Sequence, residues 1–408
     1  MKSLGRNTAT LLVSNIGSTA LSFILSVLIG RALGQSGLGV YAAAMAWTFP
    51  LSLVVDFGLS TLITREVAQS PDATHAYLRA GTLARLWLGG GLMLATFLAA
   101  PILSQDVAVV AGIQVSTPLI IILPFFGLFT AVFRARGVMW PIPWLNLGML
   151  AAQVALTAAV FLLGGGVGAA LVVNMLTSAG QLAAAWWLYR RVIQNDTSTY
   201  PASVPREGGG VDIRSLLRLA LPFALAGLLA ALGARLNTIL LEQWTNPNEV
   251  GYYTAAARFV EAGRMIPNAL FGALFPLLAS LTAQPDAMRR TFRRVLLGLA
   301  AFGGAAALAG MLLADSAIRL TYGESFAAAV PVLQLALLSL LPGLLRGGLS
   351  LYIYARGGER LVNSVTAAML IVQLMLGALW IPASGAYGAA LVSLIAEIIA
   401  LALLWWLG

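Results

Sequence analysis

The two halves of this 408-residue chain repeat the same short segments in the same order. The repeated pairs are Gly39–Ala44 with Gly251–Ala256, Ala135–Gly137 with Ala355–Gly357, Gly168–Val172 with Gly388–Val392, and Trp186–Trp187 with Trp405–Trp406. Their offsets of 212, 220, 220 and 219 residues are nearly constant, which chance rarely produces. We therefore expect two homologous halves, and in a membrane protein two like halves around a central site are typical of a transporter.

The composition is that of a membrane protein. The chain is 60% hydrophobic and 10% charged, whereas about a quarter of the residues of a soluble domain are charged. It has no Cys, which excludes disulfides and thiolate metal sites, and its only Lys and only His are Lys2 and His75. An ATP-binding Walker lysine and a His-pair metal motif are therefore absent from the sequence. We expect no cofactor, no metal and no enzymatic activity, and the net charge of +9 indicates topology and not nucleic-acid binding.

About twelve apolar segments are long enough to cross a bilayer, six in each half. They are predicted at 8–30, 38–63, 80–102, 113–134, 143–163 and 167–189, and at 213–234, 249–281, 295–314, 328–354, 361–382 and 386–407. Six spans per half let both halves enter the membrane from the same side, so the repeats are parallel. The predicted fold class is an all-α polytopic membrane protein with two parallel six-helix repeats around a central cavity.

Basic residues favour one side of the predicted membrane. With the N-terminus inside, 18 of the 24 Lys and Arg residues, Arg85 among them, fall on the inner side. The predicted outer loops that hold no basic residue lie near 103–112, 164–166 and 382–386. This asymmetry predicts a multi-pass protein of the inner (plasma) membrane with both termini in the cytoplasm. The apolar stretch 8–29 is too long for the core of a signal peptide, so we expect an uncleaved first helix.

The segment 194–212 differs from everything around it, because it carries two prolines and three consecutive glycines and has no periodicity. Such a composition is typical of a flexible linker. The predicted domains are therefore an N-terminal six-helix lobe at 1–193, a cytoplasmic linker at 194–212 and a C-terminal six-helix lobe at 213–408.

Charged residues inside predicted spans are costly and are therefore candidates for function. Arg258, Glu261 and Arg264 follow each other at steps of three in the eighth span and form one slanting stripe on a helix. One interpretation is a self-neutralising ladder that joins the two lobes. The other is an anion site that faces a cavity, with Glu261 holding both guanidinium groups.

Three further arginines are candidates for the same cavity. Arg31 and Arg235 lie near the outer ends of the first spans of the two halves. They are either anchors at the membrane surface or parts of a positive ring around the cavity. Arg346 follows Pro342 and Gly343, where the tenth span is expected to bend.

Two acidic residues are candidates for ion coupling. Glu397 lies near the middle of the last span and either carries a coupling proton or pairs with an arginine. Asp56 lies near the inner end of the second span, where a packing role is the alternative. The first span also carries serines at steps of four from Ser14 to Ser26, which indicates either close helix packing or a hydrated wall.

Several of these segments resemble one family. Gly30–Gly34 followed by Gly39–Tyr41, and Asp56–Leu59 followed by Arg65–Glu66, resemble the opening of oligosaccharide and polysaccharide flippases. Val250–Ala256, with Ile266–Pro267 and Phe275–Pro276, resembles their seventh and eighth spans. These flippases belong to the multidrug/oligosaccharidyl-lipid/polysaccharide exporter superfamily, and the resemblance covers essentially the whole chain.

The resemblance implies a two-lobed bundle that moves polyprenyl-diphosphate-linked glycans from the cytoplasmic to the outer leaflet by alternating access. A positive cavity suits a diphosphate, and an ion gradient is the expected energy source. The expected partners are the lipid-linked oligosaccharide and membrane lipids, with no nucleic acid. Glycan polymerases or glycosyltransferases are candidate protein partners, and we expect a functional monomer.

Other functions compete with this hypothesis. The main alternative is a multidrug and toxic compound exporter, a cation antiporter of the same superfamily, whose cavity is expected to be acidic. A glycan polymerase or ligase would need large outer loops, which the predicted topology lacks, and a non-transporting scaffold would leave the charges inside the spans without a role.

Overall fold

A computed structural model describes residues 2–70, 74–194 and 213–408 of the chain, and these ranges form α-helices without strands. In the first half the helices are α1 (Lys2–Asp56), α2 (Leu59–Gln69), α3 (Thr74–Leu103), α4 (Val107–Ser116), α5 (Leu119–Ala135), α6 (Pro141–Leu162) and α7 (Val167–Tyr189). In the second half they are α8 (Ile213–Trp244), α9 (Pro247–Gly263), α10 (Met265–Ser280), α11 (Pro285–Thr321), α12 (Ala329–Leu338), α13 (Leu340–Ala355) and α14 (Glu359–Leu407). The predicted all-α membrane fold is thereby confirmed.

Two of the helices are too long for a single crossing, and each contains a break at a glycine. Gly34 in α1 has a φ of 69° and Gly385 in α14 has a φ of 55°, a left-handed conformation that glycine adopts without steric cost. Within the described ranges nine helices are long and apolar enough to cross a membrane, or ten with the bent pair α9 and α10. The expected number of twelve spans stays a prediction. This number requires that each of the two broken helices, α1 and α14, crosses the membrane twice.

Several predicted spans are divided in places that average hydropathy does not detect. The predicted span 38–63 contains the boundary between α1 and α2, where Phe57 and Gly58 both have positive φ. The predicted span 328–354 divides at Ser339 into α12 and α13. Pro342 explains this second break, because it has no N–H group to donate to the carbonyl of Leu338.

The chain divides into two compact units. One unit comprises Met1–Leu21 and Ala44–Leu232, and the other comprises Ser22–Ala43 and Gly233–Gly408. The first helix of each half, α1 or α8, therefore contributes residues to both units. The lobe boundaries expected at 193 and 213 stay a prediction, and the expected linker lies outside the described residues apart from Gln194.

The core of the first unit surrounds the short helix α2. Leu59, Leu62 and Ile63 are fully buried on one face of α2, at the spacing of an amphipathic helix. They pack with Phe133 of α5 and with Phe223 of α8. This packing explains why the first part of α8 belongs to the same unit as α2.

In the second unit, residues 22–43 of α1 pack against an aromatic cluster. Phe23 contacts Phe259 edge to face, at a centroid distance of 5.1 Å, and the hydroxyls of Ser26 and Tyr322 are 2.9 Å apart. Gly30 faces the Tyr322 ring, which a β-carbon at this position would approach to 2.7 Å. Since Ser14 and Ser26 are both buried, the two ends of the serine series favour the packing interpretation.

Candidate functional site

The bent junction of α9 and α10 carries the first candidate side chain. The two helices meet at Arg264 with an angle of 47°. Pro267 explains the bend, because it cannot donate a hydrogen bond to the carbonyl of Gly263 and its ring crowds that group. The bend fixes the position of the cationic Arg264 at the junction of the two helices.

Arg264 and Arg346 share one carboxylate, that of Glu397, and we call these three residues the Glu397 cluster. Arg346 Nε donates to Glu397 Oε2 at 2.5 Å and its Nη2 donates to Oε1 at 3.2 Å. Arg264 Nη2 donates to the same Oε1 at 3.3 Å. Two guanidinium groups and one carboxylate leave the cluster with a net charge of +1.

The arginines of the Glu397 cluster are more accessible than their shared acid. About a third of each arginine side chain is exposed, against 15% of Glu397. A guanidinium group has five N–H donors, and Glu397 accepts from only one of those of Arg264 and two of those of Arg346. Donors therefore remain for a second anion.

A glycine provides the space in which the cluster assembles. Gly343 lies three residues before Arg346 on α13 and therefore on the same side of the helix. A β-carbon at Gly343 would lie 2.9 Å from Arg264 Nη2 and 3.4 Å from the carboxyl carbon of Glu397. A side chain at this position would thus compete with the cluster for space.

A second charged group lies on α8 and α9. Arg258 Nη1 donates to Glu261 Oε2 at 2.7 Å, and Arg235 is close enough to both residues to interact with them electrostatically. The sequence interpretation in which Glu261 holds two guanidinium groups of the stripe is wrong. The helix bends at Arg264, so this side chain leaves the face of α9 and binds Glu397 instead.

A polar network that the sequence analysis missed lies on the same face of α14 as Glu397. Asn237 Nδ2 donates to Ser393 Oγ at 2.7 Å and to the Tyr253 hydroxyl at 3.3 Å. Ser393 lies one turn before Glu397 on α14. The spacing of four residues between a serine and an acid in an apolar helix is the signal that could have revealed this face.

The charged side chains of these two groups, taken together, carry a net positive charge. The four arginines and two acids are Arg235, Arg258, Arg264, Arg346, Glu261 and Glu397, with a net charge of +2. The sequence singled out all six as candidates for substrate binding or ion coupling, and the structure brings them into two groups, the Glu397 cluster and the three residues on α8 and α9. Arg264 and Arg346, which are partly exposed and keep unused donors, suit phosphate or carboxylate groups.

Arg31 has a different environment from the other candidates. Its Nε donates to the carbonyl of Thr321 at 2.6 Å, and its Nη2 donates to the carbonyl of Leu320. These carbonyls belong to the last turn of α11, whose partial negative charge attracts a cation. Arg31 therefore caps a helix of the second unit, a role that the sequence did not suggest.

Asp56 lies in the first unit and forms a buried ion pair with Arg85. Arg85 Nη2 is 2.6 Å from Asp56 Oδ1, and the Arg85 side chain is completely inaccessible. Ser60 donates to the same carboxylate oxygen at 2.6 Å. Arg85 lies within α3, as the predicted span 80–102 implies, and Asp56 compensates its charge there. Its position on the inner side of the membrane stays a prediction.

Residues 4–282 match the family described as polysaccharide biosynthesis protein. The match covers more than half of the chain. The chain belongs to this family. The resemblance to oligosaccharide and polysaccharide flippases in the sequence is thereby confirmed. A comparison with curated proteins found no match.

Solved structures with the same fold are transporters and flippases. The inward closed conformation of the lipid II flippase MurJ is 14% identical, with a TM-score of 0.79 over 97% of this chain and 86% of that chain. An inward-facing multidrug resistance MATE transporter of the MOP superfamily is 16% identical, with a TM-score of 0.78 over 95% and 93%. A MOP superfamily transporter from Pyrococcus furiosus, reported with a reversed polarity of its binding pocket, is 14% identical, with a TM-score of 0.63 over 98% and 94%.

These similarities establish the fold of a MOP superfamily membrane transporter or flippase. The two most similar folds reported above are those of a flippase and of a drug transporter. The apolar helices make the chain a multi-pass membrane protein. Flippases and drug transporters share this fold, so the chemistry of the site must distinguish between them.

Proposed function

We propose that this protein is a lipid-linked oligosaccharide flippase, which moves polyprenyl-diphosphate glycans from the cytoplasmic to the outer leaflet by alternating access. The observation that carries the proposal is the pair of partly exposed arginines that share Glu397. A diphosphate offers several oxygen acceptors to two guanidinium groups that retain unused donors. The polyprenyl tail stays in the lipid phase while the charged head crosses.

Glu397 competes with the substrate for the two arginines. Its carboxylate accepts hydrogen bonds from both Arg264 and Arg346, as a phosphate oxygen would. When the diphosphate binds, it displaces the carboxylate, and protonation of Glu397 makes this exchange easier. Exchange between the carboxylate and the diphosphate links a proton gradient to transport. The sequence has no Walker lysine, so an ion gradient is the energy source in this proposal.

The same proposal includes the location and the partners. The asymmetry of basic residues supports an inner-membrane protein with both termini in the cytoplasm. The membership in the polysaccharide biosynthesis family supports a lipid-linked glycan as the substrate. Glycosyltransferases or polymerases would supply and consume such a substrate at the two membrane surfaces.

A second candidate function is the export of organic cations, which the similarity to a MATE transporter favours. A cation requires acidic partners, and the two acids of the site are already bound to arginines. A cation would therefore have to bind next to a net charge of +2. The electrostatics of the site favour an anionic substrate.

The test uses purified protein in liposomes that contain a fluorescent polyprenyl-diphosphate oligosaccharide, with and without a proton or sodium gradient. We expect gradient-stimulated leaflet exchange in the wild type. Arg264→Gln and Arg346→Gln should each slow exchange by about tenfold or more, because one hydrogen bond between charged groups contributes roughly 1.5–3 kcal/mol. Arg293→Gln, which removes an exposed arginine of α11, is the matched control and should exchange normally.

Two results would contradict the proposal. Normal exchange by well-expressed Arg264→Gln and Arg346→Gln variants would exclude the Glu397 cluster as the diphosphate site. Transport of a cationic dye by the wild type, lost in Glu397→Gln, together with no exchange of the lipid-linked glycan under any gradient, would identify a drug exporter instead.

A further inference from the structure

A cavity of about 520 Å³ lies at one end of the second unit, apart from the charged site described above. Thr282 follows the end of α10, Pro285 begins α11, and Ala355 ends α13, and all three residues line the cavity. The ends of apolar spanning helices lie at the boundary between hydrocarbon and water. The ends of α10 and α13 at this cavity favour a position at the depth of the lipid headgroups.

Two residues of the cavity wall are held by close packing. Met288 is 3% exposed and belongs to an apolar cluster with Leu274 and Leu278 of α10. Tyr352 stacks on Phe292 of α11 at a centroid distance of 4.4 Å. Met288 and Tyr352 are therefore fixed by their neighbours. The remaining lining includes four exposed residues, Thr282, Pro285, Arg289 and Arg356.

Two arginines line the cavity from different helices. Arg289 lies in the second turn of α11, and Arg356 follows the end of α13, where its guanidinium lies 5.5 Å from the centre of the Tyr352 ring. Arg356 Nη1 also donates to the carbonyl of Gly408 at 3.4 Å. Neither arginine forms a salt bridge with another residue of the described ranges. The cavity therefore holds two positive charges without a compensating acid in an ion pair.

The start of α11 adds to this positive potential. Gln284 precedes the helix and makes no side-chain cap hydrogen bond, so the first N–H groups of α11 have no capping side chain. The helix is 37 residues long, and its N-terminus carries a partial positive charge. Asp286, in the first turn of α11, is the acid nearest in sequence to Arg289 on this helix. It is not among the residues that line the cavity.

We propose that this cavity binds the phosphate of an anionic phospholipid headgroup. Two arginines on separate helices can hold one phosphate from two sides, each with a fork of N–H donors. The volume suits a headgroup and not a whole lipid. Apolar residues of α10, such as Phe275 and Leu277, are exposed. Acyl chains of the lipid therefore contact the helix that ends at the cavity. The lipid acts here as a ligand of the protein and is distinct from the transported substrate.

The experiment measures lipid binding to the full chain by native mass spectrometry and by the shift in melting temperature in detergent. The probes are phosphatidylglycerol, phosphatidylcholine and inorganic phosphate. The variant Arg289→Gln/Arg356→Gln removes both cavity arginines. The matched control, Arg290→Gln/Arg294→Gln, removes two exposed arginines of the same helix that do not line the cavity.

We expect wild type and control to bind phosphatidylglycerol at least about tenfold more tightly than the cavity variant, and to prefer it over phosphatidylcholine. Equal loss in both double variants would show diffuse attraction to the basic end of α11 and would overturn the proposal. Equal binding of phosphatidylcholine would overturn it as well. Stabilisation by inorganic phosphate alone, without an effect of lipid, would assign the cavity to a soluble phosphate.

A second variant separates lipid binding from folding. Arg289→Lys/Arg356→Lys keeps both charges and loses the planar fork, so we expect intermediate binding and an unchanged melting temperature without lipid. Lipid binding equal to that of the wild type would exclude a role for the guanidinium geometry. The measurement does not depend on transport, so a failure of the flippase proposal would leave its outcome unaffected.

Discussion

Gly39 and Gly251, which occupy equivalent positions in the two halves, each lie against the backbone of the other helix. A β-carbon at Gly39 would lie 1.7 Å from the carbonyl oxygen of Pro247, and one at Gly251 would lie 2.0 Å from the carbonyl oxygen of Gln35. The offset from Gln35 to Pro247 and from Gly39 to Gly251 is 212 residues in both cases. The two contacts are therefore the same contact made twice, once in each direction.

The geometry of this contact sets the loss of stability that a substitution would cause. A carbon and an oxygen approach to about 3.3 Å at the closest, so Gly39→Ala requires a separation of about 1.6 Å between α1 and α9 at this point. The obstacle is a backbone carbonyl, which cannot rotate away as a side chain could. Overpacking of this kind costs about 1–3 kcal/mol, and the gain in helix propensity from Gly to Ala recovers at most about 1 kcal/mol. Because the obstacle is rigid, the upper end of this range applies, and we expect a net destabilisation of about 2 kcal/mol for each single substitution.

The assay is thermal unfolding of purified protein in detergent, with Gly304→Ala as the matched control. Gly304 lies in α11, and a β-carbon there would meet no atom within 4 Å. Gly39→Ala and Gly251→Ala should each lower the melting temperature, whereas Gly304→Ala should leave it unchanged or raise it. The double variant should cost less than the sum of the two single variants, because one separation of the helices relieves both clashes. A Gly39→Ala variant as stable as Gly304→Ala would refute the close crossing.

Two further predictions concern the ion pairs. Asp56→Asn should destabilise the protein by about 3–5 kcal/mol, because it leaves the fully inaccessible Arg85 side chain without its counter-charge. Thermal unfolding measures this loss of stability. Recovery of stability in Asp56→Leu/Arg85→Met would show that the uncompensated charge causes the loss. Gly343→Val should reduce leaflet exchange by about tenfold, because a side chain at this position meets Arg264 and Glu397. The matched control is Gly298→Val on α11, where a β-carbon has open space. This control should exchange lipid normally. If both valine variants lose exchange equally, the space around the Glu397 cluster is not the cause.

The candidate residues of the second unit were predictable because charge inside an apolar span is rare. Arg258, Arg264 and Glu397 are visible in the sequence against runs of alanine and leucine. Their partners were not predictable, because pairing depends on which helices are neighbours. Glu397 belongs to α14, whereas Arg264 and Arg346 belong to the α9–α10 junction and to α13, and they are 133 and 51 residues away in sequence.

Breaks within the helices were predicted less well than the helices themselves. The breaks at Gly34 and Gly385 lie between predicted spans, at 31–37 and 383–385. A hydropathy average over a span registers the apolar residues and not one left-handed residue, so the break at Phe57, inside the predicted span 38–63, passed unnoticed. The role of Arg31 was missed for a similar reason. The end of α11 that it caps is nearly 300 residues away in sequence, and a distant helix terminus leaves no trace near Arg31.

The sequence by itself determined the class of the protein: an all-α membrane protein with short segments repeated in its two halves, without Cys or a Walker lysine, and with a family resemblance that the comparison confirmed. These properties follow from composition and from order along the chain, because a bilayer admits only segments that satisfy their own backbone hydrogen bonds. Only the tertiary structure decided which charges meet. It paired Arg85 with Asp56 and gave Glu397 two arginines. A buried charge needs a partner within a few ångströms, and in a helical membrane protein the packing of distant helices supplies that partner.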